Sequence, residues 1–132
     1  MTAIPEGFEP IPLESPFLEL VGPFYYRREG NRLIVGMRVT KKHCNSMGFA
    51  HGGLLSTLGD LAIGLDVVIP GQRLKPTVTV NLSVDFLKSA KLDDWLEAAV
   101  EIQKAGRSLV FGNTYIYANG ARIARISGIY TT

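Results

Sequence analysis

The stretch NSMGFAHGGLLSTLGDLAIG, residues 45–64, decides how the rest of the chain is read. It opens polar and turn-rich, passes through His51-Gly52-Gly53, and becomes a leucine-rich run. Leu54, Leu55, Leu58, Leu61, Ala62, Leu65, Val68 and Ile69 recur at helical spacing, so the run is read as an amphipathic helix. Pro70-Gly71 is read as its end. One acid of this stretch, Asp60, lies beside the apolar stripe. Its neighbours on that face, Gly53, Ser56, Thr57 and Gly64, are small and leave room for another group to approach.

On the N-terminal side, GPFYYRRE and RLIVGMRV read as two strands around a turn at Gly30-Asn31. TKKHCNSMG breaks the pattern and is read as a loop. After the helix the period falls to two. In PTVTVNLSVDF, Val78, Val80, Leu82, Val84 and Phe86 take one face, and Thr77, Thr79, Asn81, Ser83 and Asp85 the other. WLEAAVEIQKA, LVFGNTYIYA and RIARISGIY follow as strands. Asn119-Gly120 between the last two is a strong signal for a two-residue hairpin. One long helix among antiparallel strands is an α+β arrangement, with the helix covering one face of a curved sheet. Residues 1–16 are expected to form an irregular N-terminal arm, and residues 17–132 a single domain.

Composition narrows the function. The chain has 132 residues, 46% of them hydrophobic, and a formal net charge of +2. That is enough for one compact core. It carries no basic run that would mark a nucleic-acid surface. A single cysteine, Cys44, cannot form an internal disulfide and fits a reducing compartment. The first twenty residues lack the basic start and apolar core of a signal peptide. No apolar run reaches the roughly 20 residues of a membrane span. The expectation is a soluble, cytoplasmic domain without nucleic-acid or membrane partners.

The chemistry concentrates at residues 45–60. A helix N-terminus carries unpaired amides and a partial positive charge of about half a unit, which can hold an oxyanion. Gly52 and Gly53 let a ligand approach that backbone closely. Asn45 adds a side-chain amide, and Asp60 supplies a nucleophilic or basic carboxylate. The bland readings are a tight turn into a helix for His-Gly-Gly and a solvent-facing position for Asp60. His43, Cys44, His51 and Asp60 lack any standard metal-ligand spacing. No metal or cofactor is expected.

Taken together, N-S-M-G-F-A-H-G-G and L-G-D-L-A resemble the hotdog-fold acyl-CoA thioesterases, nearest the phenylacetate-pathway (PaaI-like) group. VTVNLSVDFLKSAK and GRSLVFGNTYIY support the likeness, which runs from about Phe17 to Tyr130. It implies the hotdog fold and hydrolysis of an acyl- or aroyl-CoA to free acid and CoA. It implies Asp60 as nucleophile or general base, and the Gly52 amide as the group that polarises the thioester carbonyl. Asn45 and His51 match the family's loop asparagine and the histidine before the glycines. A serine on the following strand in some members falls at Thr79, where a hydroxyl is kept. Candidate CoA-phosphate contacts are Lys88, Lys91, Lys104 and Arg107, with Gly53 added at the helix mouth.

Spacing adds a constraint. Gly52 and Asp60 are eight residues apart on one helix, about 12 Å along its axis. A nucleophile must come within about 3–3.5 Å of the carbonyl carbon. If both groups serve one site, they come from two subunits, so a homodimer with sites at the subunit interface is expected. The resemblance implies the same and extends to tetramers. Two other functions fit less of the pattern: a hotdog acyl-thioester dehydratase or hydratase, and a non-catalytic acyl-CoA-binding protein.

Overall fold

The computed structural model describes residues 3–68 and 77–131. The expected helix stop at Pro70-Gly71, and Ile69 of the expected stripe, lie outside the described residues. In chain order the elements are β1 (Glu9–Pro10), α1 (Pro16–Val21), β2 (Tyr25–Glu29), β3 (Arg32–Arg38), α2 (Gly52–Val68), β4 (Thr79–Phe86), β5 (Trp95–Ala105), β6 (Leu109–Ala118) and β7 (Ala121–Thr131). One turn of 3₁₀ helix, Lys41–His43, lies within the loop expected before α2.

The strands form one antiparallel sheet in the order β1-β2-β3-β5-β6-β7-β4. β3 pairs with β5, and β4 crosses to the far edge beside β7. α2 packs across the inner face, against β3, β4, β5, β6 and β7. This is the expected α+β hotdog arrangement. The hairpin turn at Asn119-Gly120 has both residues at positive φ, 50° and 86°, the backbone that a two-residue hairpin needs. Among the described residues no helix is long and apolar enough to cross a membrane.

Two local readings need correction. Residues 1–16 are not irregular throughout: Glu9 and Pro10 pair with Tyr26 and Tyr25. Phe8 packs edge-on against Trp95, with ring centroids 5.1 Å apart, over the space left by Gly36. A two-residue strand has no period to read, and only the Ser15-Pro16 pair, an N-cap followed by proline at the first helical position, announces the short helix.

The second correction concerns β4. Strict alternation separates Thr79 from Leu82 and Val84. The pairing with β7 skips a residue, however: Thr79 lies opposite Tyr130 and Asn81 opposite Ile129. Val80 is the extra residue of a β-bulge, and a bulge reverses the side-chain phase on one side of it. Thr79 therefore faces α2, on the same side as Leu82 and Val84.

The helix sits low on the sheet because glycines make room on both surfaces. Leu54, Leu55, Leu58, Ala62 and Leu65 are buried as the period requires, and Ile63 and Val67 join them. A Cβ on Gly59 of α2 would lie 2.1 Å from Ile126 Cδ1 of β7. A Cβ on Gly112 of β6 would lie 2.6 Å from Ile63 Cγ2 of α2. Each surface thus receives a branched side chain of the other, at the density of a close-packed interior.

Gly59→Ala is expected to destabilise the chain despite the better helix propensity of alanine, because overpacking costs about 1–3 kcal/mol against a gain of about 1 kcal/mol. Adding Ile126→Val removes the clashing Cδ1 and should recover part of the loss. Urea unfolding of the two single variants and the double variant checks this, with a total loss smaller than the sum of the singles as the expected outcome.

Candidate active site

Asp60 lies in the third turn of α2, half-buried, on the side facing β4 and β7. Two hydroxyls reach it. Thr79 Oγ1 donates to Oδ1 at 2.8 Å, and Tyr130 Oη donates to the same oxygen at 2.9 Å. Thr79 and Tyr130 are direct cross-strand partners, so their side chains share a face. The bulge at Val80 is what turns Thr79 to that face. Burial pushes the Tyr130 phenol well above the ordinary tyrosine range, and the neighbouring Asp60 carboxylate pushes it further. The phenol therefore stays a donor.

The other half of the expected constellation gathers at the start of α2. Asn45 shapes the loop: its Oδ1 accepts from the Met47 and Phe49 amides at 2.9 and 3.1 Å, which leaves its NH₂ group to face outward partners. His51 caps the helix, with Nδ1 accepting from the Gly53 amide at 2.8 Å. With Nδ1 accepting, Nε2 is the ring nitrogen left to face outward. The same bond separates the two glycines. The Gly53 amide is already engaged, so Gly53 contributes a bare backbone rather than a donor. Among the described residues the Gly52 amide has no acceptor. The Phe86 ring lies where a Cβ on Gly52 would meet it, 3.1 Å away.

The chain thus presents two half-sites. One holds Asn45, His51 and Gly52 beside Phe86; the other holds Asp60 with Thr79. The basic residues divide the same way. Lys88 and Lys91 line a pocket of about 340 Å³ with Phe49, close to the start of α2. Lys104 and Arg107 are exposed around the β5–β6 turn, on the side of the sheet end where Leu109 pairs with Thr131, next to Tyr130. Sequence reasoning missed Tyr130. The only available signal was the Gly128-x-Tyr130 spacing, which gives the ring a side-chain-free strand position to lie over.

His43 is buried, and its backbone carbonyl accepts from the His51 amide at 2.9 Å, so it lies directly behind the first half-site. Its Nδ1 accepts from the Thr40 amide at 2.9 Å, and its Nε2 donates to the Val21 carbonyl. It ties the end of α1 to the loop before α2. Among the described residues no cluster of three or more His, Cys, Asp or Glu could hold a metal.

Comparison with known proteins decides the family. The Thioesterase superfamily model matches residues 47–123, from the loop of Asn45 into β7. The chain belongs to the thioesterase superfamily. It is 40% identical over 131 residues to the protein PA0474 of Pseudomonas aeruginosa, covering 98% of each. It is 32% identical over 82 residues to mouse acyl-coenzyme A thioesterase 13, which is 62% of this chain and 58% of that protein. Its fold matches a hypothetical thioesterase protein of Streptococcus pneumoniae solved with coenzyme A, at TM-score 0.74 and 28% identity over 82% of this chain and 86% of the other. It also matches the E. coli PaaI protein of the phenylacetic acid degradation operon, at TM-score 0.77 and 22% identity over 89% and 83%. The chain is accordingly a thioester hydrolase by family.

Burial pushes the His43 imidazole below its ordinary value of 6.5, with the Val21 carbonyl opposing the shift. Between the lowered folded value and 6.5, the unfolded chain binds a proton that the folded chain refuses. Stability therefore falls as pH drops through that window and is fully present above it. Asp66, half-buried on α2, has its carboxyl pushed up by burial and contributes with the opposite sign. Since His43→Gln leaves Asp66 unchanged, the difference between wild type and variant isolates the histidine. Urea unfolding at pH 7.5 and 5.5 is expected to show wild type losing more stability on acidification than the variant.

Proposed function

We propose that the chain hydrolyses acyl-CoA thioesters at a site shared by two copies of itself. The acyl-CoA substrate is supported by the relatives: acyl-coenzyme A thioesterase 13 by its name, and the streptococcal protein by its coenzyme A. The observation that carries the shared site is the separation of the half-sites along one rigid helix. The thioester carbonyl oxygen takes the Gly52 amide of one copy, assisted by the helix N-terminus. Asp60 of the other copy then acts in one of two ways. As nucleophile it attacks the carbonyl carbon, breaks the C–S bond and leaves an acyl anhydride that water opens. As general base it takes a proton from the water that attacks. In both cases the thiolate gains a proton, and free acid and CoA leave.

The β4 edge supports the pairing. β4 is the last strand of the sheet, and Val78, Val80, Phe86 and Leu87 along or beside it are exposed. An exposed apolar edge strand is a template for another strand. A two-fold axis perpendicular to the sheet keeps both helices on the same face. Opposite residues of an antiparallel pair also share a face. Only registers that set a residue against its own copy satisfy both conditions. Pairing centred on Leu82 or on Ser83 lays Phe86, and with it Gly52, beside the partner's Thr79 and so its Asp60. The same symmetry brings Lys88 and Lys91 of one copy toward Lys104 and Arg107 of the other, a basic rim suited to the phosphates of CoA.

Asp60→Asn preserves size and is expected to lower kcat on acyl-CoA by about 10²- to 10⁴-fold, with the fold intact by circular dichroism. Thiol release across a panel of short, medium and aromatic acyl-CoA substrates measures this and ranks the acyl groups. Near-normal kcat in the variant would overturn the assignment.

A further inference from the structure

Every hydrogen bond that the described residues make to the Asp60 carboxylate falls on one oxygen. Thr79 and Tyr130 both donate to Oδ1, and Oδ2 has no donor among them. We infer that Tyr130 is a positioning residue: it pins Oδ1, fixes the plane of the carboxylate, and leaves Oδ2 as the oxygen that meets substrate or water. This rests on the reading of Asp60 as the catalytic carboxylate and adds a residue which that reading does not contain.

The local sequence explains how the phenol reaches its place. Tyr130 is 1% exposed, so the ring is part of the core. It extends from β7 back over Gly128, two residues earlier on the same face. A Cβ at Gly128 would lie 2.5 Å from the ring's Cε1 and 2.8 Å from its hydroxyl oxygen. Any other residue at 128 would deflect the ring from Asp60. The hydroxyl also lies 3.3 Å from the Asp60 backbone carbonyl. It carries one proton, and the shorter contact is to the carboxylate.

The physical need is clear. The terminal torsion of an aspartate is broad and nearly two-fold, so an untethered carboxylate swings and exchanges its oxygens. Thr79 stands on an edge strand, exposed, and is a weak anchor alone. Tyr130 comes from a strand paired on both sides and is buried, so its hydroxyl is fixed by packing. A reacting group displaced by about 1 Å can lose about 10²-fold in rate.

The alternative role is structural, since a buried tyrosine hydroxyl commonly finds a partner. Tyr130→Phe separates the two. It is expected to lower kcat by about 10- to 100-fold, to leave KM within about two-fold, and to change residual turnover by less than about two-fold when placed on Asp60→Asn. A hydroxyl that acts through Asp60 has nothing left to position once that carboxylate is gone. If Tyr130→Phe keeps wild-type kcat while Asp60→Asn is inactive, the inference fails and the reading of Asp60 stands. Equal losses in both backgrounds would also overturn it, in favour of the structural role. Wild-type turnover by Asp60→Asn would instead remove the reading on which the inference rests. Should the phenylalanine variant not fold, Gly128→Ala tests the same point by displacing the intact hydroxyl, with the same loss of kcat at constant KM expected and unchanged kcat contradicting it.

Discussion

An α-helix is a rigid rod that advances about 1.5 Å per residue. Gly52 and Asp60, on α2, are therefore held about 12 Å apart along its axis, and no side-chain rotation closes that gap. The fold does not relieve this constraint. It maintains it, by packing α2 against five strands and seating it through Gly59 and Gly112, so that the helix can neither bend nor slide. On the proposed reading, one chain presents two half-sites beside the β4 edge, each completed by a second copy. That reading would make the exposed apolar residues of the edge intelligible, as the surface on which the second copy sits.

A single inserted residue carries much of the local design. The bulge at Val80 shifts the phase of β4 and sets Thr79 beside Tyr130 on the helix-facing side. Two hydroxyls from adjacent strands then converge on one oxygen of Asp60. At the N-terminus of α2, a side chain reads the backbone: His51 takes the Gly53 amide and leaves that of Gly52 available. Both arrangements divide a pair of equivalent groups, two carboxylate oxygens and two amides, into one held by the protein and one presented outward. Such pre-arranged polar groups lower a barrier without reorganising during reaction.

The parts of this structure that were legible in the chain are those with a period. Seventeen residues of helix and four long strands repeat their pattern often enough to be read, and Asn119-Gly120 named its own turn. The candidate residues Asn45, His51, Gly52 and Asp60 could be proposed from the chain because they lie on one contiguous stretch. What escaped depended on contacts distant in sequence. Tyr130 is seventy residues from Asp60, and in the chain it looks like one more aromatic on a strand. The bulge at Val80 is defined by its partner strand, so alternation within β4 placed Thr79 on the wrong face. β1 and α1 are too short to show a period and are held by the residues they meet, Phe8 against Trp95 being the clearest case.

The claim that each site is built from two copies is tested most directly by mixing inactive subunits. Asp60→Asn chains lack the carboxylate, and Asn45→Ala chains lack the loop amide on the Gly52 side. Unfolded and refolded together in equal amounts, half of the dimers are mixed if pairing is random. Each mixed dimer then holds one site with both defects and one with neither, so activity should return to about a quarter of wild type for an isologous pair. Mixed dimers demonstrated by native mass measurement, with no activity above that of the separate variants, would show that Asp60 works within its own subunit and would contradict the account.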